Sequence, residues 1–343
     1  MDHSLHRERS LAEQIVLQAA ILTKKVLSTV QEISKADASP VTVADFAAQA
    51  LIIGAIHRAF PGDGFVGEED AGVLRGDAAL RARVYELVSS VVVGVEEGEG
   101  LGPVSEEEML DLIDLGGRGQ GGSGGDGGGG RFWVMDPVDG TATFLRNEQY
   151  AVSLALIEDG RELLGVLCCP NLKLKDGRVH ESSVDGEGLG VMLSAVRGQG
   201  STIRTLSTRD NGLPNPQPLA RLAPQPATQT STSSTASPRL GARYPGTDVW
   251  SSHVRYASLI IGGGDVLVRI PGHPGSRSFI WDHAGAQLIY TEMGGKVTDV
   301  NGKEMDFGAG RCLDRNYGLV AAGEDIHDRI LQLTRELMAE EAA

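Results

Sequence analysis

Three cysteines in 343 residues, two of them adjacent (Cys168 and Cys169), are too few for a disulfide framework. Their scarcity points to a reducing compartment, and the cytoplasm is the expected location. Aromatic residues make up only 5% of the chain, and no apolar run, residues 150–157 included, approaches the length of a membrane span. The opening MDHSLHRERS holds no apolar stretch of the kind a secretory leader carries. Basic residues are in deficit, with 31 Lys and Arg against 46 Asp and Glu, a formal charge of −15. A nucleic-acid partner held on a basic surface is therefore not expected, and neither is a membrane. An acidic chain can still handle an anionic substrate if its carboxylates first hold metal cations. With 41% hydrophobic residues the chain can bury a core, and its length predicts two domains at about 150 residues each.

Two segments depart from the rest in composition. Residues 116–130 hold 11 glycines in 15 positions and read as a flexible loop tip or insertion. No strand leads into that tract and no Lys-Ser/Thr follows it, which argues against a phosphate loop. Residues 207–240 hold 6 of the 14 prolines and a Thr/Ser run, and read as a disordered or irregular linker with no strand. Elsewhere, helical and strand periods alternate. Ile15, Ala19, Leu22 and Val26 share one helix face; Phe46, Ala50, Ile53 and His57 share another that stops before Pro61-Gly62. Ser105 and Glu108 read as a capping box. Residues 131–135 read as a strand, and 150–157 with 162–169 as a hairpin about Asp159-Gly160. Trp250, Val254, Ala257 and Ile261 predict a helix, 265–270 a strand, and 282–293 a helix closed by Gly294-Gly295. Residues 296–300 and 304–307 predict a hairpin about Asn301-Gly302, and Ile326, Ile330, Leu333 and Leu337 a last helix. The mixture predicts a layered α/β or α+β architecture. We divide it at 185/186, into an N-terminal α+β domain with most candidate ligands and a C-terminal α/β domain.

The densest chemistry lies in Asp136-Pro137-Val138-Asp139-Gly140-Thr141, at the end of a predicted strand. Pro137 restricts φ and Gly140 permits a sharp bend, so two carboxylates can converge. With the Val138 carbonyl between them they offer hard oxygen ligands of the kind Mg²⁺ takes. Gly140-Thr141 opens a turn whose free N–H groups suit a phosphate oxygen. Alone, the motif is equally a surface Asx-turn. Glu68-Glu69-Asp70 alone reads as a solvated charge run, and Asp282 beside Trp281, like Asp45, as a helix cap. His57, His283 and Cys168-Cys169 read as packing residues.

Together and in this order, these segments carry a resemblance. Ser39-Pro40-Val41-Thr42 with Asp45-Phe46-Ala47-Ala48-Gln49, the Asp136–Thr141 motif followed by Phe144-Leu145-Arg146 and Glu148-Gln149, and Trp281-Asp282-His283-Ala284 resemble the inositol monophosphatase superfamily of metal-dependent, lithium-sensitive phosphatases. Within it they are most similar to the 3′(2′),5′-bisphosphate nucleotidases. The likeness runs from Leu22-Thr23-Lys24-Lys25 to Asp306-Phe307-Gly308, nearly the whole chain. It implies a two-domain layered αβαβα sandwich with two or three Mg²⁺ per active site. The implied reaction removes the 3′-phosphate of adenosine 3′,5′-bisphosphate, giving AMP and phosphate, with 3′-phosphoadenylyl sulfate as a second substrate. By the same resemblance Glu68, Asp136, the Val138 carbonyl and Asp139 bind the first ions, and Asp282 completes the second site. Thr141 orients the attacking water, with Asp45 or Glu68 as proton acceptor. Gly140, Thr141, Ser252, Arg255, Arg269 and Asp282 are implied to face the substrate, in a monomer or weak homodimer. Four carboxylates (Glu68, Asp136, Asp139, Asp282) against two Mg²⁺ leave a roughly neutral site for a bisphosphate.

The chain departs from the family pattern twice. Ala142-Thr143 stands where Lys-Gly is usual, and Thr143 would distort the turn if that position needed a positive φ. Residues 207–240 stand where relatives carry an ordered strand and a histidine-serine element on the nucleotide, so a missing strand and weakened nucleotide affinity are expected. Two rival readings stay open: an inositol phosphate phosphatase with the same metal core, and a catalytically weakened metal- and nucleotide-binding relative.

Overall fold

In a computed structural model of the chain, the described residues are 5–30, 39–91, 102–119, 130–208, 212–223, 246–273 and 275–341. Helices α1 (His6–Val30) and α2 (Ser39–Ala59) pack on each other and cover one face of a large sheet. On α2, Phe46, Leu51, Ile52, Ile53 and Ile56 are all buried, because the sheet and α1 enclose it on one side and further helices on the other. A helix apolar all round is stable only in such an enclosure. The sheet has seven strands in chain order: β1 (Gly64–Gly67), β2 (Arg131–Asp139), β3 (Ala151–Glu158), β4 (Arg161–Cys169), β5 (Val191–Val196), β6 (Ser201–Thr205) and β7 (Gln217–Pro218). Among the described residues, only β1 and β2 pair in parallel. Their crossover carries α3 (Gly72–Gly76), α4 (Ala78–Ser89) and α5 (Glu106–Gly117), and the one-turn α6 (Thr141–Leu145) follows β2.

Alternate strand residues serve two different cores. Trp133, Met135, Leu154 and Leu156 join the core under α1 and α2. Phe132, Val134, Ala155 and Ile157 join the opposite core, with α7 (Ser252–Ile261) and α8 (Ala286–Glu292). A three-stranded antiparallel sheet, β8 (Val266–Arg269), β9 (Gly295–Thr298) and β10 (Leu319–Gly323), has β10 in the middle. Leu267, Val297 and Ala321 face α7 and α8, whereas Val266, Val320 and Ala322 face the last helix, α9 (His327–Glu341). The layers therefore alternate α, β, α, β, α, as expected. No helix among the described residues is long and apolar enough to cross a membrane.

Several local expectations change. The strand foreseen at 131–135 runs on to Asp139. Trp250 is exposed and precedes α7, whose N-cap is Ser251. The helix foreseen from Asp282 is two pieces, a short 3₁₀ helix (Ile280–Asp282) and α8, broken at Gly285 with φ +86°. Residues 304–307 form no strand; β9 pairs with β10, and the Asp299 carboxylate closes the Asn301-Gly302 turn by accepting from the Asn301 and Lys303 amides at 2.9 and 2.8 Å. Thr143 sits inside α6 without a positive φ, and its buried hydroxyl reaches the Gln149 and Gly140 carbonyls at 2.6 and 2.7 Å.

The largest correction concerns 207–240. Its described part supplies the strand thought missing: β7 pairs with β6, Leu219 N–H donates to the Ser201 carbonyl at 2.9 Å, and Leu219 and Leu222 pack on the α7/α8 core. Proline is tolerated because β7 is an edge strand with only one neighbour. Residues 209–211 and 224–240 lie outside the described residues, as do 120–129 of the glycine tract. The 185/186 division falls between β4 and β5, within the seven-stranded sheet.

Candidate active site

Asp136 and Asp139 stand three positions apart on one strand, and strict alternation would send them to opposite faces. The β2–β3 register shifts between them, an irregularity at Pro137-Val138 that brings both carboxylates to one side. Gly140 then turns the chain into α6 at φ +97°, and a Cβ there would lie 2.7 Å from the Thr143 hydroxyl. The Asp139 carboxylate also meets the start of α7: it accepts from the Ser251 hydroxyl, from the Ser252 amide at 3.3 Å and from the His253 amide at 2.7 Å. A carboxylate suits those free first-turn amides.

Asp282 arrives from a different layer. His253 Nε2 lies 2.7 Å from the Trp281 carbonyl, and the buried Glu162 accepts from the Gly285 and Leu288 amides at 2.8 and 3.3 Å. Both contacts fix the turn that carries Asp282. One carboxylate oxygen each from Asp136, Asp139 and Asp282 lie within 4.8 Å of one another.

Glu68 and Asp45 border this trio. Glu68 follows β1, where Gln49 on α2 grips the chain: its amide donates to the Glu69 and Ile113 carbonyls at 2.6 and 3.0 Å and accepts from the Glu69 N–H at 3.0 Å. At the end of α5, a Cβ on Gly117 would come 2.3 Å from the Glu69 carbonyl, so the first glycines of the tract serve close packing beside the acidic loop. Asp45, one helical turn before Gln49, is buried.

The electrostatics tie these groups together. Burial, then the charges of Glu69, Asp282 and Asp139, push Glu68 up to about 7. Burial and Asp139 push Asp282 up to about 6. Burial holds Asp136 well above the carboxylate range, with Asp139, Glu68, Asp282 and Asp45 adding to it. Asp45 is raised by burial, Glu69 and Glu68. Among the described residues, no Lys, Arg or His forms an ion pair with any of the five. One oxygen each of Asp45 and Asp136 is buried with no hydrogen-bond partner. Those two unpartnered buried oxygens, set among mutually repelling carboxylates, belong to a donor set that a divalent cation satisfies.

The cationic and polar candidates lie alongside. Burial and the neighbouring Arg269 lower the Arg255 guanidinium, whose Nε donates to the Val249 carbonyl at 2.7 Å. Arg269 in turn pulls Asp282 down. Two arginines close enough to influence each other thus stand near the carboxylate cluster. The exposed Thr141 hydroxyl lies 3.5 Å from the Val138 carbonyl. Ser252 enters through its amide on Asp139. His283, pushed down to about 3 by burial and Arg269, is a neutral packing residue.

Gln49 and Ser251 were not singled out as site residues from the sequence. Ser251 carried a signal, a serine just before a helical face, which also caps Val254 N–H at 3.1 Å. Gln49 carried only its place in the Asp45–Gln49 stretch of the resemblance, one turn after Asp45.

Comparison with known proteins shows the family and the fold. The family model described as the inositol monophosphatase family matches residues 102–339. The chain is 39% identical, over 98% of its length and 99% of the relative's, to a 3′(2′),5′-bisphosphate nucleotidase of Emericella nidulans. It is 36% identical to the Schizosaccharomyces pombe protein of the same name, over 96% of each chain. Among solved structures, an inositol monophosphatase from Zymomonas mobilis superposes with a TM-score of 0.57 at 17% identity, covering 97% of this chain and 99% of that one. Inositol monophosphatase II from Staphylococcus aureus gives 0.55 at 18% identity, covering 94% and 91%.

Proposed function

The chain belongs to the inositol monophosphatase family, and from that membership we propose that it removes the 3′-phosphate of adenosine 3′,5′-bisphosphate, leaving AMP and phosphate. We extend the proposal to 3′-phosphoadenylyl sulfate, cleaved in the same way. The names of its full-length relatives support the nucleotide substrate. The observation that carries the chemistry is the meeting of Asp136, Asp139 and Asp282 oxygens within 4.8 Å, with Glu68 beside them.

These carboxylates and the Val138 carbonyl would hold two or three Mg²⁺. When bound, magnesium supplies an activated water and positive charge against the phosphoryl oxygens. The Thr141 hydroxyl orients the attacking water. Asp45 or Glu68, both with raised proton affinity, takes its proton, as a general base tuned toward neutral pH does. The first-turn amides at Gly140-Thr141 have no carbonyl within the helix to bond and receive a phosphoryl oxygen. Arg255 and Arg269 pair with the remaining phosphate, and Ser252 and Asp282 border it.

The test is phosphate release from adenosine 3′,5′-bisphosphate and from inositol 1-phosphate, with Mg²⁺ and after chelation. Release from the bisphosphate only with Mg²⁺, inhibited by lithium and little by sodium, is the expected result. Preference for inositol 1-phosphate would move the substrate to the cyclitol class. No Mg²⁺-dependent release from either would leave a binding protein rather than an enzyme.

A further inference from the structure

Glu68 and Asp282 lie in different layers, and among the described residues no backbone hydrogen bond joins 64–70 to 279–283. The side chain of Arg311 reaches both sides of that gap. Arg311 Nη2 donates to the Gly67 carbonyl at 2.7 Å, one residue before Glu68. Its Nη1 donates to the carbonyls of Gly116 and Gly119 at 2.9 and 3.2 Å, at the end of α5. The guanidinium carbon sits 4.7 Å from the centroid of the Trp281 indole, one residue before Asp282. The Arg311 carbonyl accepts from Ile280 N–H at 3.0 Å, and Phe279, stacked on Trp281 at 4.5 Å, bridges Cys312.

We infer that Arg311 is a positioning residue: it sets the spacing of Glu68 and Asp282, and with it the affinity of the carboxylate cluster for divalent cations. This rests on the metal-dependent reading above. The argument is one of shape. A guanidinium offers a planar fork of donors and a flat face, so it can satisfy carbonyls from two elements while lying on an indole. An ammonium offers the same charge without the fork or the face. Arg311 also offsets the repulsion at Glu68, which a lysine would retain. Arg311→Lys therefore separates spacing from charge, and Arg311→Met removes both.

The experiment measures Mn²⁺ binding to the full chain without substrate, by electron paramagnetic resonance of free Mn²⁺, with circular dichroism melting of each protein. We expect both variants to fold and to bind Mn²⁺ about ten- to a hundredfold more weakly, as when a supporting contact behind a metal ligand is lost. Mg²⁺ for half-maximal activity should rise in parallel, while KM for the bisphosphate at saturating Mg²⁺ stays unchanged. Wild-type Mn²⁺ affinity in Arg311→Lys would overturn the spacing argument and leave charge alone. Loss of folding in both variants would overturn it in favour of a purely structural role. Failure of the unaltered protein to bind Mn²⁺ would overturn the metal reading itself.

Discussion

Asp136 and Asp139 come from one strand end, whereas Asp282 arrives on a three-residue helix in another layer, and different structure holds each. The first pair is placed by chain continuity, one register shift and the start of α7. The second depends on remote anchors, His253 on the Trp281 carbonyl, Glu162 on Gly285 and Arg311 on the Trp281 ring. A site built from both is held by neighbouring chain at one half and by distant parts of the chain at the other. That difference predicts which substitutions abolish chemistry and which only shift stability.

The largest effect separates the two strand-end aspartates. Asp136→Asn and Asp139→Asn should each lower Mg²⁺-dependent turnover about a thousandfold or more, ~4 kcal/mol, since an amide replaces an anionic ligand. Their stabilities should diverge. Asp136 carries a buried oxygen without a partner and is raised by burial and then by its neighbours, so its amide should stabilise the metal-free protein at pH 8. Asp139 accepts from the start of α7, where an amide NH₂ would face other donors, so its variant should lose about 1 kcal/mol. Melting of both metal-free variants checks this; equal shifts of the same sign would remove the distinction.

A smaller effect concerns the remote anchor. Burial pushes Glu162 up to about 7, against the amides and side chain that bond it. A carboxyl raised on folding contributes stability that is fully present below its unfolded value, about 4.5, and lost as pH rises to about 7. In Glu162→Gln the acceptor for Gly285 and Leu288 remains, and the new NH₂ can serve the unpartnered Gln287 oxygen once that amide turns over. The variant should therefore gain on the unaltered protein as pH rises from 4.5 to 8, by up to about 3 kcal/mol. Glu68 and Asp282 add slopes of the same sign that Mg²⁺ should flatten, leaving that of Glu162 in place. Chemical denaturation at pH 5 and pH 8, with and without Mg²⁺, measures each part, and a pH-independent difference would reject the assignment.

The smallest effect lies at the sheet edge farthest from β1. Leu222 is only partly buried against the α7/α8 core, so Leu222→Ala should cost about 1 kcal/mol and leave turnover unchanged. A loss of several kcal/mol, or a changed KM, would show that this edge supports the nucleotide side as well.

What the sequence disclosed follows the same division. The layers, the first two helices and the Asp159-Gly160 hairpin were legible because period and turn chemistry are local. Asp136 and Asp139 were legible as a compact motif. Asp282 could be named through resemblance, but its 3₁₀ setting could not, because Gly285 breaks a pattern that reads as continuous helix. Arg311 and Glu162 left no local signal, since both act on backbone groups far away in the chain. The strand β7 was misjudged because proline content weighs against a strand only where both edges need donors.

The register shift between Asp136 and Asp139 also bears on how this gene can change. Side chains on β2 have a parity, and the irregularity at Pro137-Val138 is the one place where that parity is reset. Loss or gain of a single codon between Trp133 and Asp136 would turn Asp136 toward the α1/α2 side, even with every carboxylate still encoded. In this stretch, spacing is as much a part of the inherited site as the acidic residues themselves.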